Sequence, residues 1–503
     1  MLSAADSTVV SAETASVLAP VKAVRPAQDL VLREGPHLFL DDHLLAEMTG
    51  LTFEVHSPQK YPQNPIIPAK NKWTGLDKTT APTTVLPGSA SDGLRMWYIP
   101  HSRSGLGYHL GYATGKDGIH WEFPDLGVVE FQGNKHNNLL MLHVVGGRVL
   151  FDPHAKREAE VYKVAFYRQV PEPHGFCVSF SPDGLHWGPL LWIKELDDAG
   201  ELSGTGASDI VNAFYDPVRQ EFVSVFKMWS RKGDYAVPVK RGAPPPRCGR
   251  RILGMSRSKD FRHWSKARVI LKPDAHDPPT LEFYGMPAVI RRGDLFIGFL
   301  PCLIDDAPPD GIGWTELAIS RDGDRWQRLR HPFLQRSEAN KDKPDHAIAW
   351  ITEVVCVGGR EHIYYNGLEY GHKAGGRHGC VGFLRKNRFA SLGAGDRAGR
   401  LVTRYATLAP KTDGAMTLNA DASGGEIRVQ LADRKGILKG YSFAECDAIT
   451  RDSLRIPVTW RGKSRFLTTK VPLRIEFSLR NARLYGFEFK ERGGLSARKS
   501  QGG

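Results

Sequence analysis

A short sequence phrase recurs along the chain and constrains its fold more than any other feature. It reads Ser-x-Asp-Gly-x-x-Trp or a close variant, at 115–121, 181–187, 258–264 and 320–326, with a degenerate fifth copy at 385–389. Counted from Asp to Asp, and then to Asn387, the copies lie 66, 77, 62 and 65 residues apart. Spacing of this size is typical of repeat architectures, in which each repeat is one supersecondary unit.

The phrase has the chemistry of a hairpin turn. Its Asp can bond the backbone two residues on, and its Gly accepts a positive φ without steric cost. A β-rich run precedes each copy, the Trp begins the next strand, and two further strand-like runs lie upstream, such as 83–86 and 94–98 in the first unit. Four strands per unit and five units predict a five-bladed β-propeller over 75–392. We assign the phrase no catalytic role.

The pattern changes after residue 393. Runs such as 427–431 and 473–479 alternate with period two between turn residues, which predicts an antiparallel β-sandwich over 393–492. The fold expected is therefore all-β, a five-bladed β-propeller followed by a C-terminal β-sandwich. We expect a disordered leader over 1–28, an N-terminal extension over 29–74 that packs on the propeller or the sandwich, and a disordered tail over 493–503.

Composition narrows the possible partners. The net charge is +13, and basic residues concentrate between 240 and 251, but no nucleic-acid motif accompanies them, so a solvated loop is the preferred interpretation. Six cysteines are scattered without a Cys-x-x-Cys pair, and no phosphate-binding loop, His-x-x-x-His or Gly-x-Ser-x-Gly is present. We predict no metal site, no cofactor, no nucleic-acid partner and no membrane span.

Three carboxylates fall at equivalent places in the predicted propeller. Asp77, Asp209 and Glu282 stand near the starts of the innermost strands of blades 1, 3 and 4, where side chains from different blades converge on a central funnel. Glycoside hydrolysis needs two such carboxyl groups. Small residues flank Asp209, and aromatic neighbours could raise the pKa of Glu282 into the range of a general acid. For each residue alone, a carboxylate that is solvated in a loop, or one that joins two blades by hydrogen bonds, is an equally good interpretation.

Several further side chains near these positions could bind sugar by hydrogen bonding and ring stacking. They are His136, His346, Tyr284, Trp73 and Trp350. For the aromatic residues the alternative is packing between blades, which is the more common role of such side chains.

The repeated hairpins, with acids at the starts of inner strands, resemble the five-bladed propeller glycosidases of the invertase-like and arabinanase-like families 32, 43 and 117. The phrase is also similar to a shortened sialidase Asp-box, and 38–44 resembles a segment of a bacterial group of glycosidase-like proteins. The resemblance covers 75–392 and the sandwich after it. It implies hydrolysis of a glycosidic bond in the funnel. The chain lacks the Asn-Asp-Pro-Asn-Gly of invertases at blade 1, so sugar, linkage and stereochemistry stay open.

The sequence therefore predicts a glycoside hydrolase acting on an oligo- or polysaccharide, and an acidic glycan is left open as the substrate. The alternatives are a non-catalytic carbohydrate-binding propeller and a sialidase-like or lyase-like enzyme on acidic glycans, which the positive charge favours. A funnel for acidic glycans needs Arg or Lys inside it. A secreted or periplasmic location is preferred over a cytoplasmic one, and the oligomeric state is left open.

Overall fold

The computed structural model describes most of the chain and confirms the all-β fold. The described residues are 22, 28–67, 76, 78–88, 93–102, 107–169, 174–197, 206–230, 249–308, 310–373, 376–410, 412–465 and 471–491. They contain two short helices, Glu158–Glu160 and Lys194–Asp197, and the remaining elements are strands. None of the helices in this part of the chain is long and apolar enough to cross a membrane. The chain divides into two compact units, one spanning 35–38 and 56–389 and the other 39–55 and 390–492 with the residues up to 34.

The larger unit consists of antiparallel sheets that follow one another along the chain, here called blades 1 to 5. Each begins with an inner strand and continues outward through a second, third and outer strand. The strands are Thr84–Pro87, Leu94–Tyr98, Gly107–Gly115 and Trp121–Glu122 in blade 1; Val145–Phe151, Tyr162–Arg168, Gly175–Ser181 and Leu191–Trp192 in blade 2; Val211–Asp216, Glu221–Trp229, Arg251–Ser258 and Arg268–Leu271 in blade 3; Ala288–Arg292, Leu295–Ile304, Ile312–Ser320 and Gln327–Leu334 in blade 4; and Ile348–Val357, Arg360–Leu368 and Arg377–Arg385 in blade 5. Shorter strands of this unit are Gly35–Leu38, Lys78–Thr79, Pro100–Ser102, Leu139–Leu142 and Leu281–Phe283.

The five inner strands form a closed ring. Each contacts the inner strand of the next blade, and the inner strand of blade 5 contacts that of blade 1. Radial repetition of this kind leaves only short, protected sheet edges. The repeated hairpin phrases and the strand runs between them thus form the propeller that the sequence predicts.

The repeated phrase forms the turn between the third and outer strands and also joins neighbouring blades. In blade 2 the Asp183 carboxylate accepts hydrogen bonds from two backbone N–H groups, each at 2.8 Å, and Gly184 has a φ of +78°. The Gly184 carbonyl accepts a hydrogen bond from the Trp97 ring of blade 1 at 2.9 Å. Blade 1 repeats this contact, because its Gly118 carbonyl accepts from the Tyr364 hydroxyl of blade 5 at 2.8 Å. The phrase therefore has a structural role.

The outer strand of blade 5 comes from a distant part of the chain. Gln59–Lys60 pairs antiparallel with the third strand of that blade, at Gly382 and Phe383. The first and last parts of the unit are thereby joined in one sheet, which closes the propeller. The sequence predicts an N-terminal extension over this segment but does not predict the pairing.

The smaller unit is a sandwich of two sheets. The first orders Asp452–Pro457, Thr412–Asp421, Ala482–Glu491, Ala390–Ala394 and Thr52–Val55, and the second orders Leu45–Thr49, Gly399–Thr403, Arg474–Arg480, Glu426–Asp433 and Gly436–Ile437. A parallel pair, Leu30–Leu32 with Ala406–Leu408, accompanies them. Phe477 of one sheet and Phe487 of the other meet with ring centroids 5.9 Å apart, and Phe39 packs on both. These rings form the apolar layer between the sheets.

Candidate active site

A pocket lies on the axis of the propeller, at the end where the inner strands begin. Every blade contributes to its wall, and it encloses about 810 Å³ including its opening to solvent. From the inner strands and the residues just before them, the lining comprises Thr83, Val145, Gly146, Gly147, Asp209, Ile210, Val211, Pro287, Trp350 and Thr352. The segments that precede the inner strands of blades 1 and 4 add Thr80 and Tyr284, and second and third strands with their flanking loops add Ile99, Tyr108, Pro301, Asn366 and Arg377. Ligand sites are commonly concave and largely apolar with a few convergent polar groups, as here.

Asp209 is the one carboxylate among the described residues that line this pocket. Its carboxylate forms an ion pair with Lys227 and accepts a hydrogen bond from the Ser208 hydroxyl at 3.1 Å. About a quarter of the Asp209 side chain is exposed, whereas Lys227 is almost fully buried. Burial alone would raise the pKa of Asp209, but the Lys227 ammonium outweighs it and holds that pKa below its usual range. Asp209 is therefore an ionised carboxylate at neutral pH.

The residue after Asp209 has a strained backbone. Ile210 has a φ of +108°, a region that β-branched residues almost never adopt. Two glycines accommodate it, because a Cβ at Gly285 would lie 2.3 Å from Ile210 Cγ2 and a Cβ at Gly146 would lie 3.1 Å from Ile210 Cα. Strain of this kind persists only where the surroundings impose it, and it clusters at active sites. Here it fixes the direction in which Asp209 enters the pocket.

A pair of stacked aromatic rings forms another part of the wall. The Tyr284 and Trp350 rings lie 4.3 Å apart, centroid to centroid, at an angle of 15°. The Trp350 ring N–H donates to the Cys302 carbonyl at 2.9 Å, which fixes its orientation. Burial, followed by the negative charge of Asp209, raises the pKa of Tyr284, so its hydroxyl stays protonated. Trp350 is 3% exposed, so the pair forms a rigid, buried part of the wall that carries the Tyr284 hydroxyl.

An ionic network lies behind these rings. The Arg251 guanidinium forms an ion pair with Glu282 and lies 3.6 Å from Asp305. It also lies over the rings of Tyr284 and Trp229, at 5.5 and 4.9 Å from their centroids. Burial raises the pKa of Glu282, which is 2% exposed, and the charge of Arg251 opposes that rise. Arg251 therefore neutralises the Glu282 carboxylate and also holds the Tyr284 ring in position.

His372 completes the network. Its Nδ1 lies 2.8 Å from the Asp305 carboxylate, and its ring packs edge-on against Tyr284 with centroids 4.8 Å apart. Burial lowers the pKa of His372 to about 4, against the opposing effect of Asp305. His372 is therefore neutral at physiological pH. The pKa of Asp305 is below its usual range, because the hydrogen bond from His372 and the charge of Arg251 outweigh burial.

The low pKa of His372 predicts a loss of stability in mild acid. Between pH 7 and pH 5 the unfolded chain protonates this histidine, whose ordinary pKa is 6.5, while the folded protein keeps it neutral. The folded state should lose about 2 kcal/mol over that interval. His372→Gln removes the titrating group and keeps a donor for Asp305. Between pH 7 and pH 5 the free energy of unfolding of this variant should therefore fall by about 2 kcal/mol less than that of the wild type. Urea unfolding of both proteins at pH 5 and 7 measures this, and parallel pH dependences would refute it.

The structure brings some of the predicted site residues together. Asp209, Tyr284 and Trp350 share the pocket wall, and Glu282 lies behind it, bound to Arg251. Two histidines have other environments. His136 is exposed, with Nδ1 2.9 Å from Asp125, and His346 has Nδ1 3.2 Å from the Ser337 carbonyl. Neither contributes to the pocket lining in the described structure. Asp77 and Trp73 lie outside the described residues, although Thr80, three positions after Asp77, lines the pocket.

The sequence pattern does not predict five side chains at the site: Lys227, Arg251, Asp305, His372 and Arg377. All stand where a second strand ends or a third strand begins. In an antiparallel blade these points lie at the same end as the start of the inner strand. A search of all strand ends at that face, instead of inner strands alone, would have found them.

Comparisons with known proteins give structural neighbours only. No protein-family model and no curated protein sequence matches the chain. A solved structure described as a glycoside hydrolase shares 14% identity, with 66% of this chain and 94% of that chain covered, at a TM-score of 0.48. A structure from work on mannoside phosphorylases and hydrolases of the GH130 family shares 15%, covering 65% and 94%, at 0.44. A glycosyl hydrolase from Bacteroides ovatus shares 13%, covering 67% and 95%, at 0.42. The neighbours are glycoside hydrolase-like proteins.

Proposed function

We propose that this chain is a glycoside hydrolase that cleaves a glycosidic bond of an oligo- or polysaccharide in the axial pocket. The observation that carries the proposal is Asp209, an ionised carboxylate placed by a strained backbone in the wall of a pocket that also holds the stacked Tyr284 and Trp350 rings. A charged group that is largely removed from water costs free energy, so its position at a pocket wall points to a reaction.

The roles follow from the protonation states. Asp209 is ionised and acts as the base or nucleophile, while the Tyr284 hydroxyl donates a hydrogen bond to the sugar beside it. Asp77 supplies the second carboxyl group, which protonates the leaving oxygen. Thr80, three positions after Asp77, lines the pocket. Glu282 acts through Arg251 and is a positioning residue, because its carboxylate is buried behind the pocket wall, where that guanidinium binds it.

The finer assignments belong to the same proposal. We place the enzyme with the bacterial glycosidases of families 32, 43 and 117 on the strength of the repeated Asp-Gly hairpins and the acids at inner-strand starts. A polysaccharide substrate is met outside the cytoplasm, which favours a secreted or periplasmic location. Retention or inversion depends on the spacing of the two carboxyl groups, about 5 Å in retaining enzymes and more in inverting ones.

A glycan panel tests the proposal. Purified protein is incubated with neutral and acidic polysaccharides and with aryl glycosides, and new reducing ends are counted. We expect release from at least one glycan class, and we expect Asp209→Asn to slow it by about 10²–10⁴-fold. Products that carry a double bond, absorbing in the ultraviolet, would indicate a lyase and refute hydrolysis. Binding of a glycan without any cleavage would support a carbohydrate-binding propeller instead.

A further inference from the structure

Three cationic side chains surround the candidate site, and two of them are neutralised by the protein. Lys227 forms an ion pair with Asp209, and Arg251 forms one with Glu282 and lies near Asp305. Arg377 differs, because no ion pair joins it to a carboxylate among the residues that the structure describes. The pocket therefore has one guanidinium whose charge the described chain does not balance.

Arg377 is built into the pocket wall. It is the first residue of the third strand of blade 5, with its backbone paired to Leu368, and its side chain is half-buried and lines the pocket. Its charge acts on the same groups as the candidate site, since it lowers the pKa of both Tyr284 and His372. Asn366 and Thr80, which also line the pocket, offer polar groups nearby. The guanidinium thus faces the space that the substrate would occupy.

We propose that Arg377 binds the carboxylate of an acidic sugar residue, so that the substrate is a uronate-containing glycan. The inference rests on the proposed function for the identity of the pocket as a sugar site. A half-buried charge that no described carboxylate balances is costly, and an anionic ligand removes that cost on binding. The planar guanidinium fork matches a carboxylate with two parallel hydrogen bonds, a geometry that lysine cannot offer.

The experiment compares one sugar in charged and uncharged forms. Calorimetry or a thermal-shift titration measures binding of galacturonate and glucuronate oligosaccharides and of their methyl esters, which keep the shape and lose the charge. We use Asp77→Asn as the background, so that binding is read without turnover while the ion pair of Lys227 with Asp209 stays intact. The free acids should bind about tenfold to a hundredfold more tightly than the esters, as expected for a charge-assisted hydrogen-bonded pair.

Arg377→Met keeps the apolar stem of the side chain and removes the guanidinium. It should erase the preference for the free acid and leave the affinity for the esters unchanged, while Arg377→Lys should retain only part of the preference. Arg385→Met is the matched control, because Arg385 is exposed at the opposite end of the same strand. It should behave as the parent.

Three results would overturn the assignment: esters that bind as tightly as acids, a preference that survives Arg377→Met, or absence of uronate binding. The outcome is separable from the proposed function. Hydrolysis of a neutral glycan alone would support the proposed function and contradict the acidic substrate. Uronate binding that depends on Arg377, without hydrolysis by the wild type, would support the acidic ligand and contradict the proposed function.

Discussion

Asp209→Asn should lower kcat on the cleaved glycan by about 10²–10⁴-fold, the usual contribution of a positioned acid or base. Asparagine keeps the size of the side chain and can still accept a hydrogen bond from Ser208 and from the Lys227 ammonium. It removes the negative charge that takes up a proton or attacks the sugar. Initial rates of reducing-end release measure the loss, and a thermal unfolding curve shows that the variant is folded.

A matched variant separates catalysis from the loss of an ion pair. Asp152 follows the inner strand of blade 2, at the opposite end of the blade from the pocket, and forms an ion pair with Lys163 at 2.7 Å. Lys163 is as buried as Lys227, and both lie over aromatic rings. Asp152→Asn therefore breaks the same kind of contact away from the pocket. It should keep full activity, and an equal loss in the two variants would assign Asp209 a structural role.

Leaving-group chemistry distinguishes the two carboxyl roles. In Asp209→Ala, added azide should restore turnover of an aryl glycoside, since a small anion can stand in for the missing carboxylate. In Asp77→Asn, aryl glycosides with acidic leaving groups should still react while the natural glycan does not, because such groups depart without protonation. Glu282→Gln keeps an acceptor for Arg251 and should cost less activity than either.

The propeller was predictable because its repeat has a local cause. The Asp and Gly of each phrase fix a turn by their own chemistry, and the same turn packs on the neighbouring blade, as Gly184 does with Trp97. One local signal therefore determines both strand order and blade spacing. The outer strand of blade 5 had no such signal, because Gln59–Lys60 has two residues and owes its pairing to blade 5 itself.

The site was predictable only in part, for a geometric reason. Asp209 directly precedes one inner strand and Trp350 belongs to another, and the starts of these strands can be read from the hairpin register. Arg251, Asp305 and His372 reach the site from second and third strands, so they are predicted only when the ends of those strands are placed at the same face as the starts of the inner strands. The ion pair of Glu282 with Arg251 was also hidden, because 31 residues separate the two and the contact arises only when blades 3 and 4 pack together.

Glu353→Ala should destabilise the propeller by about 3–5 kcal/mol, the usual cost of removing one partner from a buried ion pair. Glu353 lies in the inner strand of blade 5 and is 2% exposed. Its carboxylate lies 2.6 Å from the Arg148 guanidinium of blade 2 and accepts a hydrogen bond from the Val85 backbone N–H of blade 1 at 3.0 Å. One side chain thus connects the inner strands of three blades across the point where the ring closes.

Companion variants show which part of this contact matters. Glu353→Gln keeps an acceptor for the Val85 N–H and loses the charge, so it should cost less than Glu353→Ala. The double variant Glu353→Leu with Arg148→Met replaces both charges by apolar groups and should recover most of the stability, since no buried charge is left unpaired. Urea unfolding gives the free energy for each protein. If the alanine variant loses less than about 1 kcal/mol, the ring is held by strand packing alone and the Glu353 carboxylate is not its closing contact.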